Sequence, residues 1–272
     1  VKASDLNLIG PTSFLFKGPF GVGKTIAAAT AAIDGPIHLS YWDKKSPIEL
    51  IRFFKQFRPD LLKNIDYDVY AAENANQYLN KQIDFTSRCE FTAEINDSVT
   101  MMTASAVNWS LRFRNQGGKK DKEAQDKTTP LMIPGFDEYK TETSFVTQAL
   151  DLNRKLKCHV IWTAHPLPKL DMSGGQDDPS GNKMSIRKTN SIVSYGNKVA
   201  AIIPGQFTEI YHFSSREKWN SKLGKNIPER LVYTASSGDE YAKTALGLPS
   251  DFDVTDKLFW EVWKELVKEA NP

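Results

Sequence analysis

One stretch of the chain has the residue types and spacing to hold a string of phosphates: Gly18 to Thr25, GPFGVGKT. Gly18, Gly23, Lys24 and Thr25 meet every fixed position of the pattern G-x-x-x-x-G-K-[ST]. Glycines let the backbone turn until successive N–H groups point into one concavity, and a following helix adds the positive end of its dipole. A lysine at this position bridges the β- and γ-phosphates, and the hydroxyl of the next residue ligates Mg²⁺. Pro19, Phe20, Gly21 and Val22 line the same loop, and Ile26 follows it, completing the expected nucleotide-binding set. The competing reading is a chance match in a glycine-rich turn. Context weighs against it, because the apolar run Thr12 to Lys17 enters the motif and an alanine-rich helical run, Thr25 to Ile33, leaves it. The expected ligand is ATP with Mg²⁺.

Phosphate chemistry needs two further parts. One is a carboxylate at a strand end that holds the Mg²⁺. Asp97 is the candidate, at the end of FTAEIN, although Thr92, Glu94 and Asn96 interrupt a strand that should be apolar if buried. Its alternative role is to cap the helix that follows. The other part is a base or water-orienting group. Asp43, just past IHLSYW, is expected beside the P-loop strand; Glu94 is a weaker choice, and Asp43 equally suits a solvated loop. His165 ends the run CHVIWTA, where a polar side chain can sense the γ-phosphate. A strand-end histidine bonded to backbone is the alternative.

These residues must be positioned by strands and helices in alternation. Strand-like runs are Thr12 to Lys17, Ile37 to Trp42, Asp66 to Ala71, Phe91 to Asn96, Cys158 to Ala164, Lys198 to Ile203, Glu209 to Phe213 and Leu231 to Thr234. Helical runs are Thr25 to Ile33, Pro47 to Phe57, Ala75 to Arg88, Ser98 to Phe113, Glu142 to Leu156 and Phe259 to Val267. The alternation predicts an α/β fold with a mainly parallel, twisted sheet flanked by helices. No repeat or linker divides the chain, so residues 1–272 are expected to form a single domain, with long mobile loops near 114–130 and 167–190.

Composition adds boundaries. The 272 residues are 40% hydrophobic and 25% charged, with a net charge of +2, so affinity for nucleic acid must come from a local patch. The two cysteines, Cys89 and Cys158, lack metal-ligand spacing and suit a reducing cytoplasm. No apolar run is long enough to span a bilayer, and no membrane partner is expected.

Taken in order, GPFGVGKT, NDSVT, CHVIWTAH and then a glycine-bearing loop resemble RecA-like P-loop ATPases. The similarity is greatest to the phage-type group that includes single-strand-annealing recombinases, and the tail DEYAKTALGLPSDFDVTDKLFWEVW resembles the end of that group's ATPase domain. The resemblance implies that Lys24 and Thr25 bind phosphate and Mg²⁺, that Asp97 is the Walker B aspartate, and that Asp43 falls near the catalytic carboxylate. It places His165 as the polar sensor at the entrance of the second DNA-binding loop. It implies single-stranded DNA as a partner, met by Arg112, Arg114, Lys119 and Lys120 in the first loop and Lys183, Arg187 and Lys188 in the second. It also implies self-association into a ring or filament, with a cation supplied in trans. Lys243, Lys218 and Arg230 are candidates, and Lys243 leads. The resulting expectation is an ATP-dependent recombination or annealing protein of phage type. The alternatives are a helicase-like or genome-packaging motor ATPase, or a nucleotide-gated switch that does not bind DNA.

Overall fold

Alternation along the strands decides which residues meet. In β1 (Ser13–Lys17), Phe14 and Phe16 join the core on one face of the sheet, while Leu15 joins the core on the other. The same division holds in β4 (Ala93–Asp97), β5 (His159–Ala164) and β6 (Glu209–Asn220). Ile95, Ile161 and Tyr211 lie on the Phe14 face, and Val160, Trp162 and Ile210 on the opposite one. A period of two is the geometry of a pleated strand, so polar residues in the same strands can be assigned to faces by counting. The computed structural model describes residues 10–43, 46–116, 134–166, 192–194, 197–220, 224–236 and 241–271.

Eight strands form one sheet in the order β3-β2-β4-β5-β1-β6-β7-β8. β2 spans Ile37–Tyr41, β3 Ile65–Val69, β7 Lys225–Tyr233 and β8 Asp251–Asp253. The first six in that order are mutually parallel, and β7 and β8 are added antiparallel beyond β6. The fold is therefore α/β with a mostly parallel sheet flanked by helices, as expected.

Crossovers toward β3 use α1 (Lys24–Ala29, continued by a 3₁₀ turn) and α2 (Ile48–Phe57), both packed on the Phe14 face. Crossovers in the other direction use α3 (Ala75–Arg88), α4 (Val99–Gln116), α5 (Phe136–Asn153) and α6 (Asn197–Ile202), all on the opposite face. Two directions on two faces is what a single handedness of crossover requires. The last helix, α7 (Phe259–Ala270), returns to the Phe14 face, where Trp260 and Trp263 pack edge-on against Phe14. Trp260 Nε1 donates to Asp34 at 2.7 Å, which anchors α7 to the turn after α1.

Four sequence readings need correction. Lys198 to Ile203 is not a strand. It is α6 running into a 3₁₀ turn, and burial of Val199, Ala200 and Ile203 follows a helical spacing that a short apolar run conceals. Asp43 does not follow a strand beside β1, because β4 and β5 lie between β2 and β1. Arg112 and Arg114 both sit on α4, which continues to Gln116, so neither is in a loop. β6 extends to Asn220, since its polar end is paired with β7 rather than buried, and β8 is too short to read from sequence.

The polar residues of β4 have a physical reason. Glu94 and Asn96 count onto the face opposite Phe14, where both are buried and bonded. Glu94 accepts from Ser40 at 2.7 Å and from Gln82 at 2.9 Å, and lies 2.7 Å from His38 Nδ1. His38 Nε2 lies 2.9 Å from Asp68. Asn96 donates to Asn153 at 3.0 Å, and Asn153 also accepts from Trp162 and donates to Gln82. A buried polar group is tolerated when it is hydrogen-bonded, so this strand need not be apolar to be central.

Burial by itself would lower the His38 pKa, but the Glu94 and Asp68 carboxylates outweigh it and hold the imidazolium above its ordinary range. The ion pairs therefore stabilise the fold fully below the unfolded histidine pKa of about 6.5 and fade as pH rises through the raised folded value. His38→Gln should lower stability by about 3–5 kcal/mol at pH 6, the cost of breaking a buried pair. The gap to wild type should narrow toward pH 9. Thermal melts across that range test this, and a gap independent of pH would contradict it.

Candidate nucleotide site

The site is built where β1, β5 and β4 end together. Residues Asp97, Thr163 and His165 all count onto the Phe14 face, the face that carries α1. β1 leads directly into the loop, and α1 begins at Lys24. Two glycines are required by geometry. At Gly18 an added Cβ would sit 2.4 Å from the Phe213 carbonyl oxygen of β6, so only glycine lets the chain leave β1 here. Gly23 has φ of 94° and precedes α1 in the left-handed region, which a side chain would strain.

Lys24 is buried, with 5% of its surface exposed. Its ammonium group donates to the Gly18 carbonyl at 2.7 Å and the Pro19 carbonyl at 2.8 Å, and lies 3.4 Å from His165 Nδ1. Burial pushes the Lys24 pKa down to about 8, against the opposing pull of Asp97. The loop thus wraps a cation with its own carbonyl groups, and two neutral acceptors only partly compensate a buried ammonium. A phosphate would supply the missing negative charge at this point.

Asp97 is buried at the tip of β4 and the Asp97–Ser98 peptide is cis. Thr25 Oγ1 donates to Asp97 Oδ2 at 2.8 Å, and Thr163 Oγ1 donates to Asp97 Oδ1. Burial raises the carboxyl pKa and Asp43 adds to this, while the two hydroxyl bonds and Lys24 oppose it. The alternative of helix capping is filled by the next residue, because Ser98 Oγ accepts from the Met101 N–H at 3.4 Å. Asp97 is consequently left to face Thr25. Thr163 escaped the sequence reading, yet it lies two residues before His165, and alternation alone puts both on the same face.

The other expected residues divide clearly. His165 is beside Lys24, and the exposed ring of Phe20 stacks on its imidazole at 3.7 Å between centroids. Burial, then the Lys24 charge, lowers the His165 pKa to about 4, so the ring is neutral at pH 7. His165 also begins a closed loop base, with its carbonyl accepting from Val193 and Pro166 bridged to Ile192. Asp43 is exposed, and its charge reaches Asp97, His165 and Tyr41. Glu94 is excluded as a base: it is fully buried on the opposite face and bonded to His38, Ser40 and Gln82.

The candidate trans cations lie on the β6–β8 side. Lys243 is half-buried and held by two backbone bonds to Ile210, and Lys218 is paired with Glu229 at 2.6 Å. Of the expected DNA-contacting residues, Arg112 is exposed and lies 3.5 Å from Glu73. The Arg114 side chain and Lys119, Lys120, Lys183, Arg187 and Lys188 lie outside the described residues.

The donor set suits a small hard cation that keeps much of its water. Among the described residues no group of three His, Cys, Asp or Glu side chains could cage a metal. Thr25 and Asp97 offer two oxygen ligands at the loop, and Mg²⁺ is commonly held by one or two carboxylates together with substrate phosphates and waters.

The Lys24–His165 contact makes a signed prediction. Lys24→Met should raise the His165 pKa from about 4, because the nearest cation is removed. Titration of the imidazole C–H resonances by NMR would show the shift, and an unmoved His165 would contradict the assigned electrostatics. No family model and no curated protein matches the chain, so the site stands on its own residues and geometry.

Proposed function

We propose that the chain is a RecA-like P-loop ATPase that binds MgATP at Gly18 to Thr25 and acts on single-stranded DNA in recombination or annealing, as in phage-type relatives of that class. One observation carries the nucleotide part: a buried Lys24 ammonium and a buried Asp97 carboxylate converge on the same loop mouth, joined through Thr25. In this reading Lys24 exchanges the Gly18 and Pro19 carbonyls for phosphate oxygens. The loop N–H groups and the start of α1 add positive potential. Mg²⁺, when bound between Thr25, Asp97 and phosphate, would neutralise charge that builds on the phosphates. Asp43 accepts a proton from the attacking water, and His165 reports the terminal phosphate to the chain that follows it.

The DNA part is supported by the sequence resemblance and by the position of His165 at the base of the second loop. Arg112, exposed on α4 ahead of the first loop, is the described residue that would add to that surface. A cation from a neighbouring copy, with Lys243 as the leading candidate, would complete the site in a ring or filament.

Nucleotide affinity tests the core of this reading. Wild-type protein should bind a fluorescent ATP analogue more tightly with Mg²⁺ than with EDTA. Lys24→Ala should weaken binding at least about tenfold, since a charge-assisted hydrogen bond contributes ~1.5–3 kcal/mol. Asp97→Asn should remove the gain from Mg²⁺ while leaving the affinity in EDTA largely intact. Equal binding by all three proteins would sink the proposal.

Assembly makes a separate prediction. ATP turnover per subunit should rise with protein concentration across the assembly range. A rate that stays flat would remove the trans cation from the mechanism.

A further inference from the structure

Tyr41 ends β2 directly opposite Asp97 in the β2–β4 register. Register partners in parallel strands emerge on the same face, so Tyr41 shares the α1 side of the sheet with Asp97. Its ring packs against the core of that face, and the residue is half-buried. The backbone holds it firmly: its carbonyl accepts from Tyr70 N–H, and the next residue, Trp42, donates to the Asp97 carbonyl, both at 2.7 Å. Yet the Tyr41 hydroxyl has no hydrogen-bond partner among the described residues. Burial and then the charges of Asp97, Asp43 and Glu49 push the phenol up to about 12, so it stays a protonated donor at neutral pH.

The register sets this unbonded donor beside Asp97 at the strand tips, within electrostatic reach of Asp43 and Glu49 as well. A partner for the hydroxyl must accept from the phenol and, beside these acids, donate to a carboxylate. A phosphate oxygen accepts but is repelled by the acids, and an apolar group would strand the hydroxyl. Water meets both demands.

Resting on the nucleotide reading above, we propose that Tyr41 is a positioning residue that, with Asp43, seats the water attacking the terminal phosphate. The Tyr41 hydroxyl donates to one lone pair of the water, and the water donates to Asp43. The second lone pair is left to attack phosphorus. In the step, a bond forms between the water oxygen and the γ-phosphorus. The bond from that phosphorus to the bridging oxygen of ADP breaks, and ADP leaves with its electron pair. The water proton passes to Asp43. Tyr41 exchanges no proton in this scheme; it fixes direction.

The test compares two complexes that differ in the water. ADP with beryllium fluoride resembles the bound triphosphate, whereas ADP with aluminium fluoride resembles the transition state with water in line. Tyr41→Phe should bind the beryllium fluoride complex within about twofold of wild type. It should bind the aluminium fluoride complex about tenfold more weakly, as expected for one lost hydrogen bond of ~1.4 kcal/mol. Its kcat for ATP should fall with KM unchanged. Asp43→Asn should show the same selective loss. If Tyr41→Phe binds both complexes as wild type does, or loses both equally, the role of Tyr41 is overturned while the nucleotide site stands. If wild type binds neither complex, the nucleotide reading itself fails and this inference falls with it.

Discussion

A carboxylate buried as deeply as that of Asp97 loses its water, and the effective penalty for a buried ion is several kcal/mol unless bonds replace it. Two hydroxyl groups from different elements, Thr25 on α1 and Thr163 on β5, supply those bonds, and Lys24 supplies a nearby opposite charge. Three segments distant in sequence are thereby fixed to one another at the sheet edge. The Lys24 ammonium is in a comparable position, buried and held by loop carbonyls that lack a full negative charge. Both groups are kept by the fold in states that a phosphate and a hydrated cation would relieve.

The sheet makes this arrangement possible by separating two kinds of polarity. On the Phe14 face, Asp97, Thr163 and His165 gather at the C-terminal strand tips. On the opposite face they lie deeper, where His38, Glu94, Gln82, Asn96 and Asn153 form a bonded network under α3 and α5. Glu94 and Asp97 are three residues apart in one strand and serve unlike ends. One ties β2 and α3 to the sheet; the other faces Thr25 at the start of α1.

The strand–loop–helix turn was legible from sequence because its pattern is local: Gly18, Gly23, Lys24 and Thr25 all fall between β1 and the first turn of α1. Most strands and helices were legible for the same reason, from runs of apolar residues. Strand order was not, and this misplaced Asp43 beside β1, since order depends on which faces the crossovers take. The polar strand at Glu94 looked poorly suited to the core because its partners come from β2, α3 and α5, far away in sequence. Thr163 was missed although period-two counting from His165 would have found it. The run at Lys198 deceived because a few apolar residues fit either period.

The most direct test of the account is a crystal structure of the protein with Mg²⁺ and a nonhydrolysable ATP analogue. The triphosphate should be cradled by Gly18 to Thr25. Lys24 should be moved off the Gly18 and Pro19 carbonyls onto phosphate, with the cation between Thr25 and Asp97. A saturating analogue bound elsewhere, with Lys24 still bonded to those carbonyls, would contradict it.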